Sequence, residues 1–387
     1  MRTALVHDWF CVPGGAESVV ERILGILPDS TLYALFNFSD RCEFIKGRTV
    51  HTSFLQRLPF ARKYYRQLLP LMPLAIEQFD LSAYDLIISS SHAVAKGVLT
   101  GPDQLHISYV YTPMRYAWDL TTEYLREAGM IWGLRSCMAR LILHYVRLWD
   151  QAAAQRADVL IADSHFVARR IQLYYRRHAN VIYPPVDTDR FALETDKDDY
   201  YLTAGRMVPY KRMDVIVEAF ARMPDRRLIV IGDGPEAVKV RSKAAPNITI
   251  LGPQPMAALC QYMQRARGFV FAAKEDFGIT PVEAQACGTP VIAFGKGGAL
   301  ETVIDGQTGV FYAEQSAAAI VDAIARFERV SATFEPYRIR EHAQRFGVDR
   351  FDSQFSQLVD REWDRFVKRS HPALHSTQFG GTPACIK

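Results

Sequence analysis

Two acids, Glu275 and Glu283, stand eight positions apart in the stretch KEDFGITPVEAQACGTPVIAFGKGG, separated by a Gly-Ile-Thr-Pro turn. Neither has a His, Cys or other metal-type neighbour in the local sequence, so neither a metal site nor a covalent nucleophile follows from them alone. Upstream, GRMVPYKR places Arg206 and Lys211 five positions apart, directly after Gly205. Cations at the carboxyl end of a parallel strand are placed to hold a diphosphate. Near the N-terminus, Gly14 and Gly15 separate a strand-like run from the helical AESVVERILGIL. Such a turn leaves backbone N–H groups open to an anion at a helix start. Each feature also has a plainer reading: a solvated basic turn, a tight glycine turn, and a glutamate that complements a helix dipole.

The elements that must position these groups alternate between short apolar runs and helical patterns in both halves, as parallel sheets covered by helices do. The clearest expected strands are Thr3–His7, Asp85–Ser89, His106–Tyr111 and Val159–Asp163, then Tyr200–Ala204, Arg227–Ile231, Ile248–Leu251, Gly268–Ala272 and Pro290–Phe294. Two doubly wound α/β units follow. Glu275 falls in the loop after one strand, whereas Glu283 falls in the next helix, just past Pro281, a residue suited to an early helical position. The amides of Ile279 and Thr280 begin that helix and are available to a phosphate. A break is expected at Pro184-Pro185 and the acidic stretch ETDKDD behind it. The segment after Phe346 has a helical period, and residues 371–387 have none and are expected to be mobile.

The chain's 387 residues suit two domains, and its net charge of +4 does not favour a nucleic-acid binder. Six cysteines without CxxC or Cys/His ligand spacing argue against a disulfide framework and a zinc site, and fit a reducing, cytoplasmic compartment. The N-terminus lacks the flanks of a signal peptide, and no run reaches the roughly 18 apolar residues of a membrane span.

Taken together, Glu275 to Glu283 resembles the E-x7-E motif of family 4 of the retaining GT-B glycosyltransferases, and GRMVPYKR resembles that family's donor-phosphate element. The sequences GDGP at 232–235, LGPQP at 251–255 and Gly297-Gly298 before Glu301 are similar to the family in order and spacing. The resemblance implies two Rossmann-like domains facing each other across a cleft. An acceptor-binding domain would cover 1–186, a nucleotide-sugar domain 187–350, and a helix at 351–370 would return to the first domain. It implies that Arg206 and Lys211 neutralise the leaving diphosphate, Glu275 contacts the donor sugar and Glu283 the ribose. Gly14, Gly15, Gly205, Gly234, Gly278, Ile279 and Thr280 would complete the donor site. No metal or cofactor is implied, since cations and amides stabilise a departing diphosphate by themselves. The DTD of Asp187–Asp189 is read as a linker feature.

The N-terminal half is similar to bacterial mannosyltransferases of O-antigen and exopolysaccharide assembly, through HDWFCVPGGAE, SSSHAVAKGV and YVYTPMRYAWD. EDFGITPVEAQA resembles the GDP-mannose users of the family, which implies GDP-mannose as donor; the family likeness implies retention of configuration and, with the basic-aromatic segments below, a polyprenyl-diphosphate-linked saccharide as acceptor. Many relatives have His-Thr-Pro where this chain has Tyr111-Thr112-Pro113. Either the Tyr111 hydroxyl serves the site, or His92 does, or both are packed, hydrogen-bonded residues. Arg57, Arg62, Lys63 and Arg66 alternate with aromatic and aliphatic residues, as do Arg135, Arg140 and Arg147. This pattern fits peripheral attachment to the anionic inner face of a plasma membrane. Competing readings are a UDP-sugar donor, a non-hydrolysing sugar-nucleotide epimerase, and a donor-binding subunit without activity.

Overall fold

A computed structural model describes residues 1–11, 14–38 and 42–370 of the chain. The tail expected to be mobile, 371–387, lies outside the described residues. The first sheet is built from β1 (Thr3–Phe10), β2 (Thr31–Asn37), β3 (Val50–Thr52), β4 (Leu86–Ser91), β5 (Leu105–Val110), β6 (Val159–Ala162) and β7 (Asn180–Val181). The second holds β8 (Tyr201–Ala204), β9 (Leu228–Ile231), β10 (Ile248–Gly252), β11 (Gly268–Phe271), β12 (Val291–Phe294) and β13 (Gly309–Tyr312). Their orders are β3-β2-β1-β4-β5-β6-β7 and β10-β9-β8-β11-β12-β13. The two Rossmann-like units expected from the sequence are therefore present.

The strands form because runs such as LIIS and GFVF are apolar on both faces, and a parallel sheet covered by helices buries both. In the second sheet Tyr201, Val230, Val270 and Ile292 point into one core layer, while Leu202, Ile229, Phe269 and Val291 point into the other. Burying each such side chain stabilises the fold by about 1.5–3 kcal/mol. In both sheets the strand order reverses beside the first strand, between β1 and β4 and between β8 and β11. Such switch points open a crevice at the carboxyl ends of the strands, where doubly wound sheets take ligands.

By internal contacts, one compact unit of the described residues comprises 1–162, 170–180 and 352–370, and the other comprises 163–169 and 181–351. The terminal helix Val348–Ser370 is fastened within the first unit by the Arg22–Asp352 ion pair. The acidic stretch behind Pro185 is anchored to its unit. Lys197 donates to the carbonyls of Gln264 (2.6 Å) and Cys287 (3.1 Å) and to the Thr289 hydroxyl (2.9 Å). Burial outweighs the nearby Cys287 and Glu194 and lowers the Lys197 pKa to about 8.

Candidate functional site

In the second unit the residues singled out by spacing converge on the β8/β11 switch point. β8 runs out at Ala204, and Gly205 turns the chain away from the sheet. The following helix starts at Met213. Lys211 closes a single tight turn, Pro209–Lys211, and Arg212 takes a left-handed conformation (φ 51°) that redirects the chain. A non-glycine residue there stores strain that the surrounding structure must hold. The detour brings Lys211 Nζ to 2.9 Å from Glu275 Oε1, the loop carboxylate after β11. Burial would lower the Lys211 pKa, but the Glu275 ion pair and hydrogen bond outweigh it and hold the ammonium charged. Arg206 is exposed.

Glycines let the backbones of this region touch. A Cβ on Gly232 would run into the carbonyl of Gly205, and one on Gly234 into that of Met207. Gly297 (φ 73°) has Glu275's carbonyl where its own Cβ would be, and the Gly298 N–H donates to that same oxygen at 2.9 Å. The GDGP and Gly-Gly motifs thus hold in place the loops that carry Lys211 and Glu275.

The helix Ile279–Ala286 starts from Gly278 (φ 88°), with no side-chain cap and no acid in its first turn. Its leading amides, Ile279 and Thr280, therefore keep the partial positive charge of a helix start. Glu283 lies one turn inside. Burial raises its pKa to about 7, against Lys211 and Arg190, which pull it down, and with Asp187, which adds to the rise. Asp187 of the DTD loop pairs with Arg190 at 2.9 Å. Among the described residues no group of three or more His, Cys, Asp or Glu is gathered as a metal site requires.

The first unit presents a second cluster, at the β1/β4 switch point. Gly14 precedes the helix Gly15–Ile26, which has no side-chain cap. Tyr111, just past β5, directs its hydroxyl inward, 2.8 Å from Ser90 Oγ, and donates to the Ala16 carbonyl at 3.0 Å. His92, just past β4, keeps 27% of its side chain exposed. Asp8, a fully buried carboxylate on β1, lies beneath it, with one oxygen 3.1 Å from His92 Nδ1. Sequence reasoning passed over Asp8 because its partners follow 84 residues later; the HDWF polar pair inside an apolar strand was the one available signal.

Both basic-aromatic segments belong to the first unit. Residues 54–76 and 128–149 contain no Asp or Glu. Each buries one side against the same core layer, through Ala61, Met72, Ala75 and Ile76 and through Val146. Each exposes the other: Phe60 is 76% exposed, Trp132 90% and Leu134 82%, with Met138, Leu141, Tyr145 and Leu148 continuing along the helix Leu134–Arg156. Phe60 also has a left-handed backbone (φ 63°), an unfavourable conformation for an aromatic residue. Among the described residues no helix is long and apolar enough to cross a membrane.

Comparison with known proteins bears on the second unit and on the fold. The family profile described as Glycosyl transferases group 1 matches residues 186–345. D-inositol 3-phosphate glycosyltransferase of Mycolicibacterium paratuberculosis is 32% identical over 212 residues, 47% of this chain and 47% of its own. The enzyme of that name from Gordonia bronchialis is 29% identical over 265 residues, 59% of this chain and 57% of its own. The chain spans about half the length of these curated relatives. Among solved structures, Anabaena HepE in complex with UDP superimposes with a TM-score of 0.67 at 19% identity, covering 93% of this chain and all of that one. Sucrose-phosphate synthase from Thermosynechococcus elongatus gives 0.70 at 16% identity, covering 94% of this chain and all of its own. The fold is that of the GT-B glycosyltransferases, two Rossmann-like parallel-sheet domains, and residues 186–345 carry the group 1 match.

Proposed function

We propose that the chain is a retaining glycosyltransferase that moves mannose from GDP-mannose to a polyprenyl-diphosphate-linked saccharide in bacterial polysaccharide assembly. The observation that carries the transferase reading is the Lys211–Glu275 ion pair beside an uncapped helix start at the β8/β11 switch point. A diphosphate competes with Glu275 for Lys211 and meets the Ile279 and Thr280 amides, with Arg206 at the rim. Glu275, freed from the pair, accepts hydrogen bonds from the sugar hydroxyls, and Glu283 takes the ribose. The bond from the anomeric carbon to the phosphate oxygen breaks as the acceptor oxygen bonds to the same face of that carbon. The acceptor's proton passes to the departing phosphate, and the fixed cations and amides stabilise its charge. By the same family resemblance, Gly14 and Gly15 of the first unit are taken as further donor-binding residues.

Mannose, guanine and the lipid-linked acceptor rest on the resemblance of HDWFCVPGGAE, SSSHAVAKGV and EDFGITPVEAQA to bacterial mannosyltransferases. The relatives named above are inositol phosphate glycosyltransferases, and the HepE structure holds UDP. A UDP-sugar is therefore the competing donor. An anionic membrane surface as the site of action is supported by the two acid-free segments and their exposed apolar side chains. The test is a panel of GDP- and UDP-sugars with lipid extract as acceptor, together with direct nucleotide binding. Tighter binding of GDP than UDP and transfer of mannose are expected. Tight UDP binding without GDP binding would replace the donor, and donor turnover without any acceptor would point to an epimerase.

A further inference from the structure

The helix Leu134–Arg156 is held to its unit by one face. Val146 enters the core layer there, and Asp150 lies 2.6 Å from Lys96 Nζ and accepts from Trp118 Nε1 (2.8 Å) and the Tyr175 hydroxyl (2.7 Å). The opposite face carries Leu134, Met138, Leu141, Tyr145 and Leu148, and Ile131 continues the series just before the helix. Each of the six is at least 46% exposed. Their spacing of 3, 4, 3, 4 and 3 residues is the a/d repeat of a two-helix seam, with Ile131, Met138 and Tyr145 at a and Leu134, Leu141 and Leu148 at d. A surface helix that packs only on its own core turns its apolar stripe inward, so a second, outward stripe of this regularity calls for a partner.

Charge and area favour a second copy of the chain over a lipid surface. Of the three arginines along the seam, Arg147 is turned back to donate to the Ala117 carbonyl at 2.9 Å and Arg140 to Ser136 Oγ at 3.3 Å. Arg135 alone of the three is exposed. An anionic surface draws in a helix through cations spread along its outer face, and this face has few to offer. A narrow a/d seam is matched by another helix, whose side chains leave holes for its knobs, and lipid tails present no such holes. With Trp132, the six side chains expose on the order of 800 Å² per copy, which is what each partner gives to a stable interface of standard size.

We propose that the chain forms a twofold dimer in which the helix Leu134–Arg156 packs antiparallel against the same helix of a second copy. With the axis between residues 139 and 140, Met138 meets the partner's Leu141, Leu134 meets the partner's Tyr145, and Ile131 meets the partner's Leu148, so every seam residue has a counterpart. A parallel pair would set Tyr145 on its own copy and align the two helix dipoles, whereas the antiparallel pair opposes them. Arg135 comes to lie beside the partner's Ile142, so no like charges face each other. The seam is then buried between copies, and the segment 54–76 with its exposed Phe60 is left for the anionic surface. A dimer carries two such segments, so breaking the seam weakens vesicle binding by removing one of two linked anchors. The inference depends on neither the donor nor the acceptor.

The experiment is analytical ultracentrifugation of the full chain without lipid or detergent. Expected is a species of twice the chain mass, with a dimer Kd of about 1 μM or below. Met138→Lys and Leu141→Glu each raise that Kd about 100-fold or more, since each places two charges in the apolar seam. An equimolar mixture of the two variants restores the dimer, because the antiparallel register sets the new ammonium against the new carboxylate. Phe60→Asp leaves the Kd unchanged. Circular dichroism melting checks that each variant folds, and Tyr145→Lys with Leu134→Glu repeats the mixing test at the next layer if either of the first pair does not. A parent that stays monomeric at about 50 times the expected Kd, a Leu141→Glu chain that dimerises like the parent, or a folded mixture that stays monomeric overturns the proposal. A parent that is monomeric in solution and binds phosphatidylglycerol vesicles through Leu141 also overturns it, and assigns the seam to lipid.

Discussion

The two switch points use carboxylates in opposite ways. At β8/β11, Glu275 is partly exposed and paired with the Lys211 ammonium, an ion pair in which the proposed diphosphate would exchange partners. At β1/β4, Asp8 is sealed from solvent and saturated by four amides, so nothing can displace it. One carboxylate is paired with a side chain that another anion could take over, whereas the other spends its charge on fixing the backbone.

The sharpest way to break this comparison is Lys211→Ala. If the pair is exchangeable and Lys211 neutralises the leaving group, transfer falls about 10²–10³-fold, measured as kcat/KM with saturating acceptor. Activity within tenfold of the parent would make Lys211–Glu275 a structural staple like Lys96–Asp150.

Glu283 gives the next largest effect. Its carboxyl is raised to about 7 in the folded chain, from an ordinary value of 4.5 when unfolded. The native state therefore holds this proton more tightly than the unfolded one. Its stabilising contribution is complete below pH 4.5 and is lost as pH rises through 7. Glu283→Gln escapes that loss. It should exceed the parent in stability at pH 8 by on the order of 3 kcal/mol, converge with it near pH 4, and bind nucleotide more weakly. Coincident denaturation midpoints at both pH values would remove Glu283 from the strained group.

Gly297→Ala probes the scaffold. Its φ of 73° and the Glu275 carbonyl at its Cβ position predict a loss of about 1–3 kcal/mol in urea denaturation and a raised donor KM. An unchanged KM at reduced stability would uncouple the glycine from the glutamate loop. The smallest effect is expected at the surface of the first unit. Phe60→Asp and Leu141→Asp should each weaken sedimentation with phosphatidylglycerol vesicles about tenfold without altering nucleotide binding. Equal sedimentation of parent and variants would leave those side chains without a lipid partner.

The second unit was legible because its chemistry is local. The two glutamates and their helix start lie within one strand-loop-helix step, and strand ends such as Phe271 and Phe294 were placed within one residue or coincided. The strands β3 and β7 escaped because two or three residues carry too little period to stand out; β13 was missed although it is as long as strands that were read. β2, TLYALFN, was missed although Pro28, Asp29 and Ser30 separate it from the helix before it. The Asp8 cradle escaped for a different reason. It exists only because β1 and β4 pair in the register His7 to Ser90, which sequence spacing alone does not disclose. Arg212 escaped too: its left-handed turn belongs to no residue preference, and the packing around Lys211 imposes it.

The chain passes between the two compact units at 162, 169, 180 and 351, and the helix His165–Tyr175 is divided by one of those passages. The order of synthesis follows from this. The first unit leaves a ribosome without its terminal helix, which carries Asp352, the partner of Arg22, and so waits until the whole second unit has been made. A stop at or before Asp352 therefore removes a fastening of the half of the protein that was translated first.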